Sequence, residues 1–200
     1  MSPIASINVA VEGDCDRAIA ARLLLDLEIE ARIHVMHGAG GLDSRLPNYN
    51  AAARHATWFV LRDLDRHDCA PRLIATLLPE RSPGLCLRIA VRASEAWILA
   101  DRERAAAWLG VSETRLPRDP DALQDPKQEL INLARHSRRR HVVGDLVPKT
   151  GSTARIGPGY VGSFVSFVAR DWRPEIAART SDSLARCLRA LQKLRDPPQV

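Results

Sequence analysis

Four short runs rich in branched apolar residues, at 4–11, 31–36, 57–61 and 84–91, alternate with stretches whose apolar residues recur at helical spacing. That alternation leaves few folds open. Each strand must reach the next through a crossover, so the strands run parallel and helices cover one sheet. Residues 1–110 are therefore expected to form an α/β core with a Rossmannoid parallel four-stranded sheet flanked by helices. After the first run, Ala20, Leu23, Leu24 and Leu27 make the first helical stripe, with Asp14 or Asp16 as its cap. Gly38, Gly40 and Gly41 follow the second run and read as a tight turn. A helix over about 42–55 comes next, its start weakened by Pro47. Further helices are expected over 70–78 and from Ser94, which reads as a cap.

The pattern changes past residue 110. Residues 117–126 are a connector rich in proline and aspartate. Asp125, Pro126 and Gln128 then open a helix with a cap, a proline at its first position and a glutamine at the capping-box position. That helix is expected to reach about residue 137. Residues 138–141 read as a polar loop and 144–159 as a flexible segment. Val161, Phe164, Val165 and Val168 form one late stripe, and Leu184, Cys187, Leu188 and Leu191 another. Residues 111–200 are expected to be a C-terminal helical extension packed on the core and not independent of it.

An apolar fraction of 46% supplies a sizeable core. No apolar run approaches the ~20 residues that span a bilayer, and the amino end has no basic, signal-like segment, so a cytoplasmic protein is expected. Cys15, Cys69, Cys86 and Cys187 are scattered without zinc-site spacing, and buried small hydrophobes are the expectation for most of them. The net charge is +5, with 26 arginines against three lysines. Arginine's planar fork suits phosphate, although biased genomic base composition accounts for the excess equally well. The basic balance makes nucleic acid a plausible partner.

The chemistry gathers at the strand ends. The third run leads through Leu61 and Arg62 into Asp63, Leu64 and Asp65. Ligands of open α/β sheets bind at the carboxyl ends of strands, and paired carboxylates suit a hard divalent cation. On an extended strand end, Asp63 and Asp65 would face one side and Leu64 the other. Glu12 and Gly13 follow the first run, and Glu95 follows the fourth. If strands one and three are neighbours, Glu12 comes beside the aspartates. Converging carboxylates repel unless a cation or raised pKa values relieve them. His67 adjoins the aspartates, either as a ligand or as a solvated side chain. Lys127 sits at a helix start, unfavourable for the helix dipole, which hints at phosphate. Arg138, Arg139 and Arg140 read either as a backbone-binding patch or as a solvated loop. The segment from Lys149 to Ser152 lacks the spacing of a phosphate loop, and no strand precedes it.

These residues carry a resemblance. Glu12-Gly13, a glycine turn after strand two and Asp63-Leu64-Asp65 resemble the TOPRIM domain of topoisomerases, bacterial primases and overcoming-lysogenization-defect nucleases. The block Glu95-Ala96-Trp97-Ile98-Leu99-Ala100-Asp101 looks more closely like a bacterial family of uncharacterised TOPRIM-like proteins, found beside ATPase genes and associated with anti-phage defence. Asp125-Pro126-Lys127 and Pro158-Gly159-Tyr160 are similar to later blocks of that family.

The resemblance implies Mg²⁺, or Mn²⁺, held by Asp63 and Asp65. Glu12 would be a ligand or a general acid/base, and Glu95 a further ligand or a residue that fixes the others. Asp101 would support the site or cap a new helix at Arg102. Trp97 reads as core. The implied activity is phosphodiester cleavage by a nuclease, with nucleic acid, an ATPase and a second copy of the chain as expected partners. A non-catalytic module that binds nucleic acid or nucleotide, and a small-nucleotide phosphohydrolase, are the alternatives. Only Tyr49 and Tyr160 are present, and neither suits a topoisomerase nucleophile.

Overall fold

A computed structural model describes residues 6–195. The first half alternates as the sequence requires: β1 (Ile7–Val11), α1 (Asp14–Asp26), β2 (Ala31–Val35), α2 (Ala39–Ala52), β3 (Trp58–Asp63), α3 (Ala70–Leu77) and β4 (Leu85–Ala90). Seven helices follow: α4 (Glu95–Ala100), α5 (Arg102–Leu109), α6 (Pro126–Arg135), α7 (Arg140–Leu146), α8 (Tyr160–Arg170), α9 (Pro174–Ala177) and α10 (Asp182–Arg195). Residues 4 and 5, expected to begin the first strand, lie outside the described residues.

All four strands are parallel, in the order β2-β1-β3-β4. The arrangement is Rossmann-like. The chain leaves β1 for β2 on one side and returns to β3 on the other, so the order reverses between β1 and β3. Ligands of such sheets bind in the crevice at that reversal. Register places Val11 opposite Leu61, so Glu12 leaves β1 level with Arg62 and one residue short of Asp63.

Residue alternation along the strands feeds two cores. Val9, Val11, Phe59 and Leu61 face a core that holds α1 together with Trp97, Leu130, Phe164, Trp172, Leu184 and Leu191. Ala10, Val60, Leu87 and Ile89 face the other, closed by Leu42 and Leu46 of α2 and Leu73 of α3. Every residue of α4 is buried. Two polar handles fix it there: Trp97 Nε1 donates to Ser183 Oγ at 2.7 Å, and Trp172 Nε1 donates to the Trp97 carbonyl at 3.2 Å. A large side chain buried this way contributes roughly 1.5–3 kcal/mol, so the first core draws on residues from both halves of the chain.

Several local expectations change. The glycine cluster is not all turn: Gly38, at φ +113°, is the N-cap of α2, and Gly40 and Gly41 lie inside the helix. Gly41 is needed there, because a Cβ would come within 2.4 Å of the Met36 carbonyl oxygen. Pro47 sits within α2 without ending it. Residues 140–146, expected as polar loop and flexible chain, form α7, because Val142 and Leu146 are buried in the first core. Helical spacing of just two apolar residues is too short a signal. Cys86 and Cys187 are buried and Cys15 and Cys69 half-buried, all as free thiols.

Candidate active site

Asp63 is the last residue of β3, and the backbone N–H that it presents donates to Glu12 Oε1 at 3.0 Å. Its own Oδ1 accepts from the Ser94 N–H at 3.0 Å, which brings the start of α4 against it. The Ser94 side chain does not cap α4. It donates instead to Asp16 Oδ1 at 2.6 Å, and Asp16 Oδ2 accepts from the Gly13 N–H at 3.0 Å. Gly13, not an aspartate, is the N-cap of α1. Asp16 therefore points back from the first turn of α1 into the crevice, where the helix dipole favours an anion.

In the sequence Asp16 reads as a capping candidate only. Its signal is its place one turn past Glu12, on the first turn of the helix that leaves β1.

Glu95 is only 1% exposed. Its Oε1 accepts from Tyr160 Oη at 3.0 Å and faces Lys127 Nζ at 3.2 Å. Its Oε2 is buried with no hydrogen-bond partner. A buried carboxylate oxygen without a donor is costly, and in a native structure it calls for an explanation.

The carboxylates feel one another. Burial pushes Asp63 well above the usual carboxylate range, and Asp16, Glu95, Glu12 and Asp65 push it further. Burial raises Glu12 to about 7, against the lowering effects of the Asp63 N–H and Arg62. Burial likewise raises Asp16 to about 6, while the Ser94 hydroxyl opposes the shift. Lys127 is held protonated above its ordinary range, mainly by Glu95. Cys15, pushed up to about 12 by burial and then by Glu95, is no thiolate nucleophile at neutral pH.

Asp65 departs from the extended path expected of it. Its φ is +51°, and its exposed side chain turns to Arg62, with Nη1 to Oδ2 at 2.6 Å. Arg62, 3% exposed, also forks onto Asp43 at 3.1 and 3.2 Å, stands 3.3 Å from Glu12 Oε1 and donates to the Asp63 carbonyl. A built-in guanidinium thus lies between Glu12 and Asp65. Nothing in the residue order alone gives Arg62 that role.

The other candidates separate. His67 is exposed and lines a cleft of 660 Å³ with Asp63, Asp65 and Lys127. Asp101 is fully buried and clamped by Arg173 at 2.6 and 3.0 Å, outside that cleft's lining. It precedes α5 as the N-cap residue, but its carboxylate makes no cap bond because Arg173 holds it. Arg138, Arg139 and Arg140 are exposed where α6 passes to α7, and they do not line that cleft either.

Oxygen donors, mutual repulsion and the orphaned Glu95 Oε2 fit a hard cation such as Mg²⁺. As the side chains stand, no group of three His, Cys, Asp or Glu among the described residues is placed to hold an ion, and binding one there would require side-chain rotation. Comparison with protein-family models, with curated proteins and with solved structures returns no match to this chain.

Proposed function

We propose that the chain is a TOPRIM-like, Mg²⁺-dependent phosphodiesterase acting on nucleic acid. The observation that carries this reading is the convergence of Glu12, Asp16, Asp63 and Glu95 at the β1/β3 reversal, in a form that keeps Asp63 short of compensating charge. Asp63 would hold the ion, with Asp16 and Glu95 completing its surroundings and Glu12 beside it left for proton transfer. Bound there, Mg²⁺ supplies charge to a phosphate oxygen and lowers the pKa of water.

The rest of the chemistry belongs to the chain. Glu12 Oε1 is fixed by the Asp63 N–H, which leaves Oε2 to exchange a proton, and a pKa of about 7 suits that role near neutral pH. Lys127, half-exposed and held protonated, offers the cleft a cation for a non-bridging phosphate oxygen. Ser94 and Gly13 orient Asp16 and Asp63 in the metal-free protein, and these side chains would rotate from there to reach the ion.

The test is hydrolysis of bis(p-nitrophenyl) phosphate and of single- and double-stranded DNA and RNA, with Mg²⁺ or Mn²⁺. Wild type is expected to cleave only with metal, and Asp63→Ala to abolish the reaction. A wild type inert toward every one of these substrates would refute the reading.

A further inference from the structure

The cleft beside the carboxylates does not stop at Lys127. It runs into a second cleft of 850 Å³, and the two share Arg66, Asp125, Lys127 and Arg155 as wall. One side of the second cleft is α6, which contributes Lys127 and Arg135. The other is the 147–155 segment, which contributes Lys149 and Arg155. Arg66 is the residue after Asp65. Five cations thus face one acid, Asp125, and its Oδ1 is already occupied as the cap of α6, accepting from the Gln128 N–H at 2.9 Å.

Four of these five cations lack partners among the described residues. Lys127 is paired with Glu95, but Arg66, Arg135, Lys149 and Arg155 are exposed and make no side-chain hydrogen bond or ion pair among the described residues. A concave surface of one sign focuses its field and concentrates counter-ions. Thr150 and Ser152 add hydroxyl groups, which commonly serve phosphate oxygens. The Lys149–Ser152 stretch is therefore no phosphate loop in the strand-to-helix sense. It follows α7 and forms a wall.

What the clefts lack is equally informative. Among the described residues no Phe, Tyr or Trp lines either of them and His67 is the one aromatic ring, so bases find little surface on which to stack. Recognition then falls to the backbone phosphates. A chain of phosphates also matches this layout, because cations line both clefts and not only the wall beside Asp63.

We infer that the α6/147–155 cleft is a sequence-independent track for the sugar–phosphate backbone of double-stranded nucleic acid, leading it to Asp63. The inference rests on the phosphodiesterase reading for its direction, and its test is independent of cleavage. A different cationic surface lies beyond the opposite, N-terminal end of β4, where Arg81, Arg189 and Lys193 gather. Those residues serve as the control.

The experiment measures fluorescence anisotropy of labelled DNA and RNA duplexes, the matching single strands and a labelled mononucleotide, in EDTA, over a salt series. Wild type is expected to bind duplex regardless of base sequence. Joint Arg135→Ala, Lys149→Ala and Arg155→Ala substitution should weaken binding more than ~10-fold and flatten the log–log salt slope by about 0.9 for each phosphate that is no longer neutralised. Arg81→Ala, Arg189→Ala and Lys193→Ala together should leave both unchanged. Lys149→Gln alone, at an exposed site, supplies the same reading on a smaller scale if the triple variant does not fold.

Undiminished binding in the cleft variants, an equal loss in the control, base-specific binding, or affinity for the mononucleotide alone would each overturn the track. Hydrolysis of bis(p-nitrophenyl) phosphate without duplex binding would sink the track and spare the phosphodiesterase. Duplex binding through the track without any metal-dependent hydrolysis would do the reverse.

Discussion

The Ser94 hydroxyl donates to Asp16 Oδ1 across 2.6 Å, tying the first turn of α1 to the start of α4 over the ends of β1 and β3. Both residues are buried, and Asp16 stands beside Asp63 and Glu95. A hydrogen bond to a charged group contributes ~1.5–3 kcal/mol. Ser94→Ala is accordingly expected to cost about that much in urea unfolding. Asp16→Asn should act differently. It keeps an acceptor for Ser94, gives up the one for the Gly13 N–H and removes one of the charges that crowd Asp63; at pH 8 the relieved repulsion should outweigh the lost hydrogen bond and stabilise the metal-free protein, while the thermal shift given by Mn²⁺ shrinks. A variant that loses stability and keeps the full Mn²⁺ shift would make Asp16 a structural residue only.

The pH dependence has an unusual sign for carboxylates. Glu12 is about 7 in the folded protein against an ordinary value of 4.5, and Asp63 and Asp16 are raised as well. The folded state then holds more protons than the unfolded state, so the stability that Glu12 contributes is fullest below pH 4.5 and is lost as pH rises through about 7, and the two aspartates act in the same direction from 3.8 upward. Glu12 alone accounts for roughly 3 kcal/mol. In EDTA, the melting temperature should fall across that window. Asp63→Asn should lessen the fall, and Mg²⁺ or Mn²⁺ should restore stability more at pH 8 than at pH 5.5. A melting temperature that rises across the window would show that the carboxylates are relieved by internal cations and need no metal.

Much of this site is legible in residue order, and the reasons for the rest are physical. Strand runs and helical stripes depend on local periodicity, so the parallel sheet and the strand-end positions of Glu12 and Asp63 follow from the chain itself. The roles of Asp16, Arg62 and Arg173 do not. Asp16 matters because α1 begins only three residues past the end of β1, Arg62 because the backbone turns left-handed at Asp65, and Arg173 because α9 docks beside Asp101. Each depends on a tertiary contact between residues that periodicity treats as ordinary surface charge. Asp65 shows the limit well: alternation is a rule for extended chain, and the strand ends two residues earlier.

Lys127 and Glu95 offer a coupling measurement. The lysine is half-exposed, which weakens the pair through solvent screening, but Glu95 is buried and has only Tyr160 besides. Lys127→Met should therefore cost about 2 kcal/mol, most of it from the carboxylate left behind. Glu95→Gln in the same chain should recover most of the loss, because a neutral amide needs no counter-charge. Urea titrations of the two single variants and the double give the coupling energy. Additive costs would mean that Glu95 draws its compensation from elsewhere in the crevice.

Arg62 decides what Asp65 is for. The guanidinium is buried, and Asp43, Glu12 and Asp65 all depend on it. Arg62→Met should cost ~3–5 kcal/mol, the range for a buried charge network that loses one partner. Arg62→Lys should recover only part of that, since an ammonium cannot reproduce the fork on Asp43. Asp65 is exposed but sits at a left-handed φ that disfavours alanine, so Asp65→Ala should cost ~1–2 kcal/mol in stability, the ion pair and the backbone strain together. Its effect on bis(p-nitrophenyl) phosphate hydrolysis then separates two arrangements. If Asp65 stays with Arg62, Asp65→Ala reduces the rate modestly beside Asp63→Ala, because Asp65 acts only by holding the guanidinium near Glu12. Should Asp65→Ala abolish hydrolysis as Asp63→Ala is expected to do, Asp65 must leave Arg62 for the ion. Arg62→Lys, which holds Asp65 less firmly, would then bind Mn²⁺ more tightly than wild type.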